Sequence, residues 1–248
     1  MNQIVGITVC VNYGELLEIT LPNNAQRLDY VYVITKSDDI KTIETCEKID
    51  NAVSVLYDFK IDERWFETHM KRYKCGHMNT PPDMRKQFWD KRIADVNKKS
   101  FNKGGGLRAG QKYALMSHPK AFQLIMDCDI ILPEQFQKVK ETANLQDDVL
   151  YVPSERRDYT SMSEYHKQQN YKNYSTAGWG YFQMYRPSDE KHRVFYDDWP
   201  DAAKTDVWFR DDIIKKDFSN KLSLDTHVDH LGEEGKSIHY KKYNFNFE

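Results

Sequence analysis

Two carboxylates interrupt an otherwise apolar run in Phe122-Gln-Leu-Ile-Met-Asp-Cys-Asp-Ile-Ile-Leu-Pro133. Residues i and i+2 of an extended chain point the same way, so Asp127 and Asp129 can aim at one spot. Two such anions repel in a low-dielectric setting, and one takes up a proton unless a cation supplies the local positive charge. Hard oxygen ligands favour Mn2+ or Mg2+. An Asp-x-Asp triplet is common by chance. Its place at the end of an apolar strand gives it weight against the alternative of two solvated carboxylates.

The elements that must position this pair follow from periodicity. Ile4–Val11, Tyr30–Thr35 and Ala52–Tyr57 are apolar runs of strand length, with helical stretches at Glu15–Leu21 and Ile40–Ile49 between them. Pro22 is expected to stop the first helix. Alternating strands and helices predict an α/β fold with a mostly parallel, Rossmann-like sheet flanked by helices. Residues 58–100 break the rhythm and carry twelve Lys and Arg, counted from Lys60 to Lys103, against six Asp and Glu. They read as a helical insertion whose basic face is either solvated or turned to phosphate. Leu107–Met116 and Pro133–Ala143 read as helices, and Phe122–Met126 and Val149–Val152 as strands. Ligands of such sheets bind outside the carboxyl ends of the strands. Asn12 with Tyr13, Lys36–Asp39 and Asp127–Asp129 should therefore share one edge.

Composition bounds the function. The chain has 248 residues, 40% hydrophobic and 30% charged, with a formal net charge of -2. One domain over 1–248 with a real core is expected, and a general nucleic-acid binder is not. Sixteen Tyr and five Trp suit sugar rings and nucleobases, or an aromatic-rich core. The four cysteines (Cys10, Cys46, Cys75, Cys128) are irregularly spaced, which fits a reducing compartment rather than a disulfide framework. Cys75, His77 and His69 lack finger-like spacing for zinc. With no signal-like start and no run of membrane-spanning length, a cytoplasmic protein is expected.

On these residues the chain resembles the GT-A nucleotide-sugar glycosyltransferases, from Ile4 to about Gly232. The stretches that carry the resemblance are Val9–Tyr13, Tyr32–Asp39, Asn102–Gly110, Asp127-Cys-Asp129, Gly178-Trp-Gly180, Thr205–Arg210 and His230-Leu-Gly232. It is particularly similar to the compact soluble transferases of large algal DNA viruses and of bacteria, which would place it in host cytoplasm if viral. The resemblance implies a nucleotide-binding half over 1–130 and an acceptor half over 131–248. It implies transfer of a sugar, with inversion, from a nucleotide-diphosphate donor, commonly a UDP-sugar, to a glycan or glycoprotein acceptor. Cys10, Asn12, Tyr13 and Asp38 or Asp39 would hold the nucleoside, the two acids otherwise being helix-capping groups. Lys103 and Arg108 flank Gly104–Gly106, where a helix N-terminus can take a diphosphate or the run can form a flexible loop. Asp127, Asp129 and His230 would hold Mn2+ or Mg2+, with Asp127 reaching the donor and His227 as rival to His230. Trp179 and Gly180 would wall the sugar. Asp206 would be the general base, with Asp211 and Asp212 as rivals, although the family's usual neighbouring Glu is absent and Thr205 stands there.

Two other classes remain open. A sugar-phosphate nucleotidyltransferase also uses a parallel sheet and a metal, but Asn12-Tyr13-Gly14-Glu15 lacks the Gly-rich signature expected after its first strand. A non-catalytic nucleotide-sugar-binding module would use the same residues without turnover. A glycosidase is disfavoured, because its two carboxylates face each other across the sugar.

Overall fold

The computed structural model describes residues 2–65, 67, 82–99, 101–175, 181–187, 198, 205, 209, 220–232 and 245–247. Four strands form the first half of one sheet: β1 (Ile4–Val9), β2 (Tyr30–Thr35), β3 (Ala52–Leu56) and β4 (Phe122–Met126). They run parallel in the order β3-β2-β1-β4, with Val5 opposite Tyr30 and Ile4 opposite Phe122. Every residue of β1 is buried, as a central strand covered on both faces requires.

The helices α1 (Gly14–Ala25), α2 (Ile40–Glu47) and α4 (Lys103–Ser117) join these strands, with α3 (Pro82–Lys99) inserted before α4. Leu17, Leu21 and Cys46 pack on one face of the sheet, joined by Phe136 and Val139 of α5 (Phe136–Thr142). Leu107 and Ala114 of α4 pack on the other. The insertion has a small core of its own in Ile61, Trp65, Ile93 and Val96, as a charged amphipathic segment needs if it is to fold.

Three boundaries differ from the sequence reading. First, α1 passes through Pro22 and ends at Ala25. Its last turn is held from outside: the Asn24 amide donates to the Ile130 carbonyl at 2.8 Å and accepts from the Leu132 amide at 2.8 Å. Second, Gly104–Gly106 form the first turn of α4 rather than a loop. A Cβ at Gly106 would meet Phe59 at 2.6 Å and one at Gly110 would meet Ile34 at 2.5 Å, so these glycines let the helix lie close on the sheet.

Third, the second half of the sheet is regular but mixed. It comprises β5 (Ile130–Ile131), β6 (Val149–Tyr159), β7 (Lys172–Ser175), β8 (Phe182–Tyr185) and β9 (Asn220–Leu231), with α6 (Met162–Lys167) after β6. β8 runs antiparallel to β4 and to β6, β9 runs parallel to β6, and β5 closes the row antiparallel to β9. β6 does not stop at Val152 because a bulge between Pro153 and Glu155 absorbs the proline, which has no N–H for the ladder. No helix among the described residues is long and apolar enough to cross a membrane.

Asn24→Ala would leave the Ile130 carbonyl and the Leu132 amide buried without this partner. A loss of about 2–4 kcal/mol is expected in urea unfolding, with the midpoint rather than the slope changing. An unchanged midpoint would remove Asn24 as the reason that α1 runs past Pro22.

Candidate functional site

The first two strand ends are tied together by one carboxylate. Asp39 caps α2, accepting from the Thr42 amide at 3.3 Å and the Thr42 hydroxyl at 2.9 Å. Its Oδ2 also accepts from the Asn12 amide at 2.7 Å and the Thr35 hydroxyl at 3.2 Å. This holds Asn12 at φ 62, a left-handed conformation that Asn tolerates better than most residues. Asp39 is thus spent inside the protein, whereas Asp38 is exposed at the same strand end. Asn12 is exposed and Tyr13 half-buried, but the Cys10 side chain is wholly buried against Thr42, where it faces the core rather than a ligand.

At the third strand end the chain turns through Asp127, Cys128 and Asp129. Lys103, the first residue of α4, places its Nζ 2.8 Å from Asp127 Oδ1 with only 11% of its side chain exposed. The expected diphosphate lysine and the acidic turn therefore meet. Arg108 goes elsewhere, to Asp198 Oδ2 at 2.7 Å. The other oxygen of Asp198 takes Asn102 Nδ2 at 2.7 Å, and its backbone carbonyl takes Trp65 Nε1 at 2.8 Å. That network ties the insertion to the start of α4, where the Asn102 side chain also caps the helix at the Gly105 amide. Asp198 carries no sequence signal that marks it, since Asn102, Arg108 and Trp65 lie about a hundred residues away.

Asp129 is the centre. Its Oδ2 lies 3.3 Å from His230 Nε2, while its Oδ1 is buried with no hydrogen-bond partner among the described residues. On the far side of the ring, His230 Nδ1 lies 3.1 Å from Asp158 Oδ1, a charge contact off the line of a straight hydrogen bond. Asp158 is gripped by Arg156, whose Nε is 2.7 Å from Oδ1 and whose second guanidinium nitrogen is 3.0 Å from Oδ2. The Arg156 guanidinium lies over the rings of Tyr174 and Tyr181 at 5.0 and 4.7 Å. Burial opposes charge on His230, yet the Asp129 and Asp158 carboxylates outweigh it and hold its pKa up at about 9. Burial likewise opposes an ionised Asp129, but His230, then the residue's own backbone amide and then Lys103 turn the balance and lower its carboxyl from the ordinary value.

Strand geometry places His230, and not His227, beside Asp129. His227 is three residues from His230 on β9, so the pleat sends it to the opposite side. There it meets Arg157 at 3.3 Å and Asp229 at 3.8 Å, within a separate cluster that includes Glu155. Asp158 and Arg156 are the site residues that the sequence reading missed. Their i, i+2 spacing is visible only once β6 is known to continue past Pro153.

The donor set can be tested for a hard divalent cation. A buried carboxylate oxygen without a partner, beside an imidazole backed by a second carboxylate, is the chemistry such an ion uses. Asp129 and His230 fit. Asp127 faces Lys103 instead, and among the described residues no three His, Cys, Asp or Glu side chains are gathered as a shell. The three-residue shell of Asp127, Asp129 and His230 is thus not assembled, because the Lys103 ammonium satisfies Asp127. Asp206, Trp179 and Gly180 lie outside the described residues, as do Asp211, Asp212, Cys75, His69 and His77.

No family model and no curated protein matches the chain. Among solved structures it is similar to a 4-diphosphocytidyl-2C-methyl-D-erythritol synthase, with 11% identity over 91% of this chain and 90% of that one and a TM-score of 0.42. A second synthase of that description, from Anaerococcus prevotii, is 13% identical over 92% and 89% of the two chains, with a TM-score of 0.36. A candidate glucose-1-phosphate thymidylyltransferase from Bacillus anthracis, in complex with sucrose, is 9% identical over 96% and 98%, with a TM-score of 0.38. At these values no reaction or substrate carries across.

The raised pKa of His230 has a consequence for the chain treated with chelator. A pKa lifted from about 6.5 in the unfolded chain contributes stability below pH 6.5 that is lost as pH rises through about 9. The urea stability of the wild type should therefore exceed that of His230→Gln most at pH 6, with the gap narrowing by up to about 3 kcal/mol by pH 9.5. A gap independent of pH would mean that His230 is neutral in the fold.

Proposed function

We propose that this chain is a metal-dependent transferase acting on a nucleoside-diphosphate sugar, moving the sugar to a hydroxyl of a glycan or glycoprotein acceptor. The observation that carries the reading is Asp129. Its Oδ2 faces His230, while its Oδ1 is buried and has no hydrogen-bond partner among the described residues, at the carboxyl edge of the parallel half-sheet with the Lys103–Asp127 pair nearby.

Asp129 and His230 are the residues that would hold Mn2+ or Mg2+, with Asp127 joining through its second oxygen or through water. When bound, the cation supplies positive charge against the negative charge that collects on the leaving diphosphate. Lys103 adds a buried ammonium at the same turn, where it favours the diphosphate in the transition state over the intact donor. Asp38, exposed after β2, would accept a hydrogen bond from a nucleobase N–H, with Asn12 and Tyr13 contributing from the neighbouring strand end. Arg108 is paired with Asp198 and would reach the diphosphate only on leaving that partner. Asp206 is the proposed base that takes the proton of the acceptor hydroxyl, and Trp179 with Gly180 the proposed wall beside the sugar. Attack from the face opposite the diphosphate inverts the anomeric centre.

The test is a product analysis with two arms. One offers UDP-, GDP- and dTDP-sugars with Mn2+ and reads nucleoside diphosphate. The other offers nucleoside triphosphates with sugar 1-phosphates and reads pyrophosphate. Metal-dependent release of nucleoside diphosphate is expected, reduced at least about 100-fold in Asp129→Ala. Pyrophosphate release would replace this reading with nucleotidyl transfer. Ligand-induced stabilisation without either product would make the chain a binding module.

A further inference from the structure

The insertion carries charge of the opposite sign to the rest of the chain. Lys60 to Lys103 holds twelve Lys and Arg against six Asp and Glu, whereas the whole sequence holds 36 against 38. Helix α3 lies inside this stretch, and its inner face is fixed. Ile93 and Val96 pack with Ile61 and Trp65, and Trp89 lies against them. The Asn97 side chain pins the helix to the Ile61 backbone, accepting from its amide at 2.7 Å and donating to its carbonyl at 2.9 Å. With about 3.6 residues per turn, Met84, Phe88, Lys91, Arg92, Asp95 and Lys98 then fall on the face away from that core, and all are exposed. Met84 is 57% exposed and Phe88 48%. The Arg92 guanidinium lies over the Phe88 ring, 5.2 Å from its centroid.

A merely solvated helix face needs charge, but it does not need Met84 and Phe88. Two large apolar side chains set among cations are the composition of a helix that lies in the plane of a bilayer surface. We infer that α3 docks the protein on an anionic lipid bilayer. Met84 and Phe88 enter the headgroup layer, and Lys91, Arg92 and Lys98 meet the lipid phosphates. Arg and Lys suit this place because their stems lie along apolar surface while their charged ends reach the polar layer, as Arg92 already does over Phe88. Charge selects the face: the chain outside the insertion is acidic by the same count, so an anionic surface attracts the insertion and repels the rest. A nucleic acid fits this face less well. Met84 offers no ring for stacking, and Arg92 covers a side of Phe88 that a base would use. The inference is independent of the metal reading of the other site.

Vesicles are the probe, one set of phosphatidylcholine alone and one of equal parts phosphatidylcholine and phosphatidylglycerol. The full chain is floated with each, and the bound fraction is read as lipid is titrated. Wild type should bind the anionic set and not the neutral one, and should release as salt rises. Lys91→Gln combined with Lys98→Gln should weaken binding about 25-fold, at about fivefold for each charge lost. Met84→Ser combined with Phe88→Ser should weaken it at least about tenfold at unchanged charge, which adsorption by charge alone would not show. The urea midpoint of each pair is measured alongside, and the lysine pair carries the test if the serine pair does not fold. Failure of wild type to bind anionic vesicles overturns the inference, as does wild-type affinity in either folded pair. Uptake of single-stranded RNA without vesicle binding would make the partner a nucleic acid and equally overturns it.

Discussion

The turn after β4 buries a carboxylate with almost no water to solvate it. Taking such an ion out of water costs several kcal/mol unless partners are supplied. The partners of Asp129 arrive from distant parts of the chain: His230 from β9, Asp158 and Arg156 from β6, and the rings of Tyr174 and Tyr181 from β7 and the residue before β8. Each group compensates the charge of the one before it. The strands that carry them must therefore hold one register, because a slip of a single residue would send the whole row to the other side of the sheet.

The bulge between Pro153 and Glu155 sets that register. It carries β6 past a residue that cannot donate to the ladder and places Asp158 opposite His230 and Arg157 opposite Asp229. The same pleat sorts the charged residues of β6 and β9 into two sets. Arg156, Asp158 and His230 join Asp129, whereas Glu155, Arg157, His227 and Asp229 form their own cluster. Burial raises the Asp229 carboxyl to about 6 despite Arg157 beside it, a further sign that this second cluster is largely shielded from water.

The parallel half of the sheet is organised by shorter-range rules. Asp39 caps α2 and fastens the Asn12 backbone, so one carboxylate fixes two adjacent strand ends. Asn102 caps α4, Gly106 of its first turn lets the helix lie close on Phe59 and Val9, and Lys103 at its start reaches Asp127. Arg108, one turn further on, is drawn away by Asp198 into the clasp that holds the insertion. Two cations five residues apart thus serve different purposes, because a helix sends them in different directions.

Much of this was legible in the chain itself. The apolar runs at Ile4, Tyr30, Ala52 and Phe122, with helices between the first three, determined an α/β sheet and the edge on which Asn12, Asp38 and Asp127–Asp129 meet. Such patterns are local, and strand or helix period is readable from a dozen residues. The tertiary structure alone decided that Asp39 is an internal cap, that Cys10 faces the core, that Arg108 belongs to Asp198, and that His230 rather than His227 reaches Asp129. It also decided that β6 runs through Pro153 and that Asp158 stands behind the histidine. Those outcomes depend on which strands pair and in what register. Pairing is chosen by the burial of whole faces and by compensation of charge between residues as far apart as Asp129 and His230 or Asp29 and Lys140, and no short window of sequence carries that information.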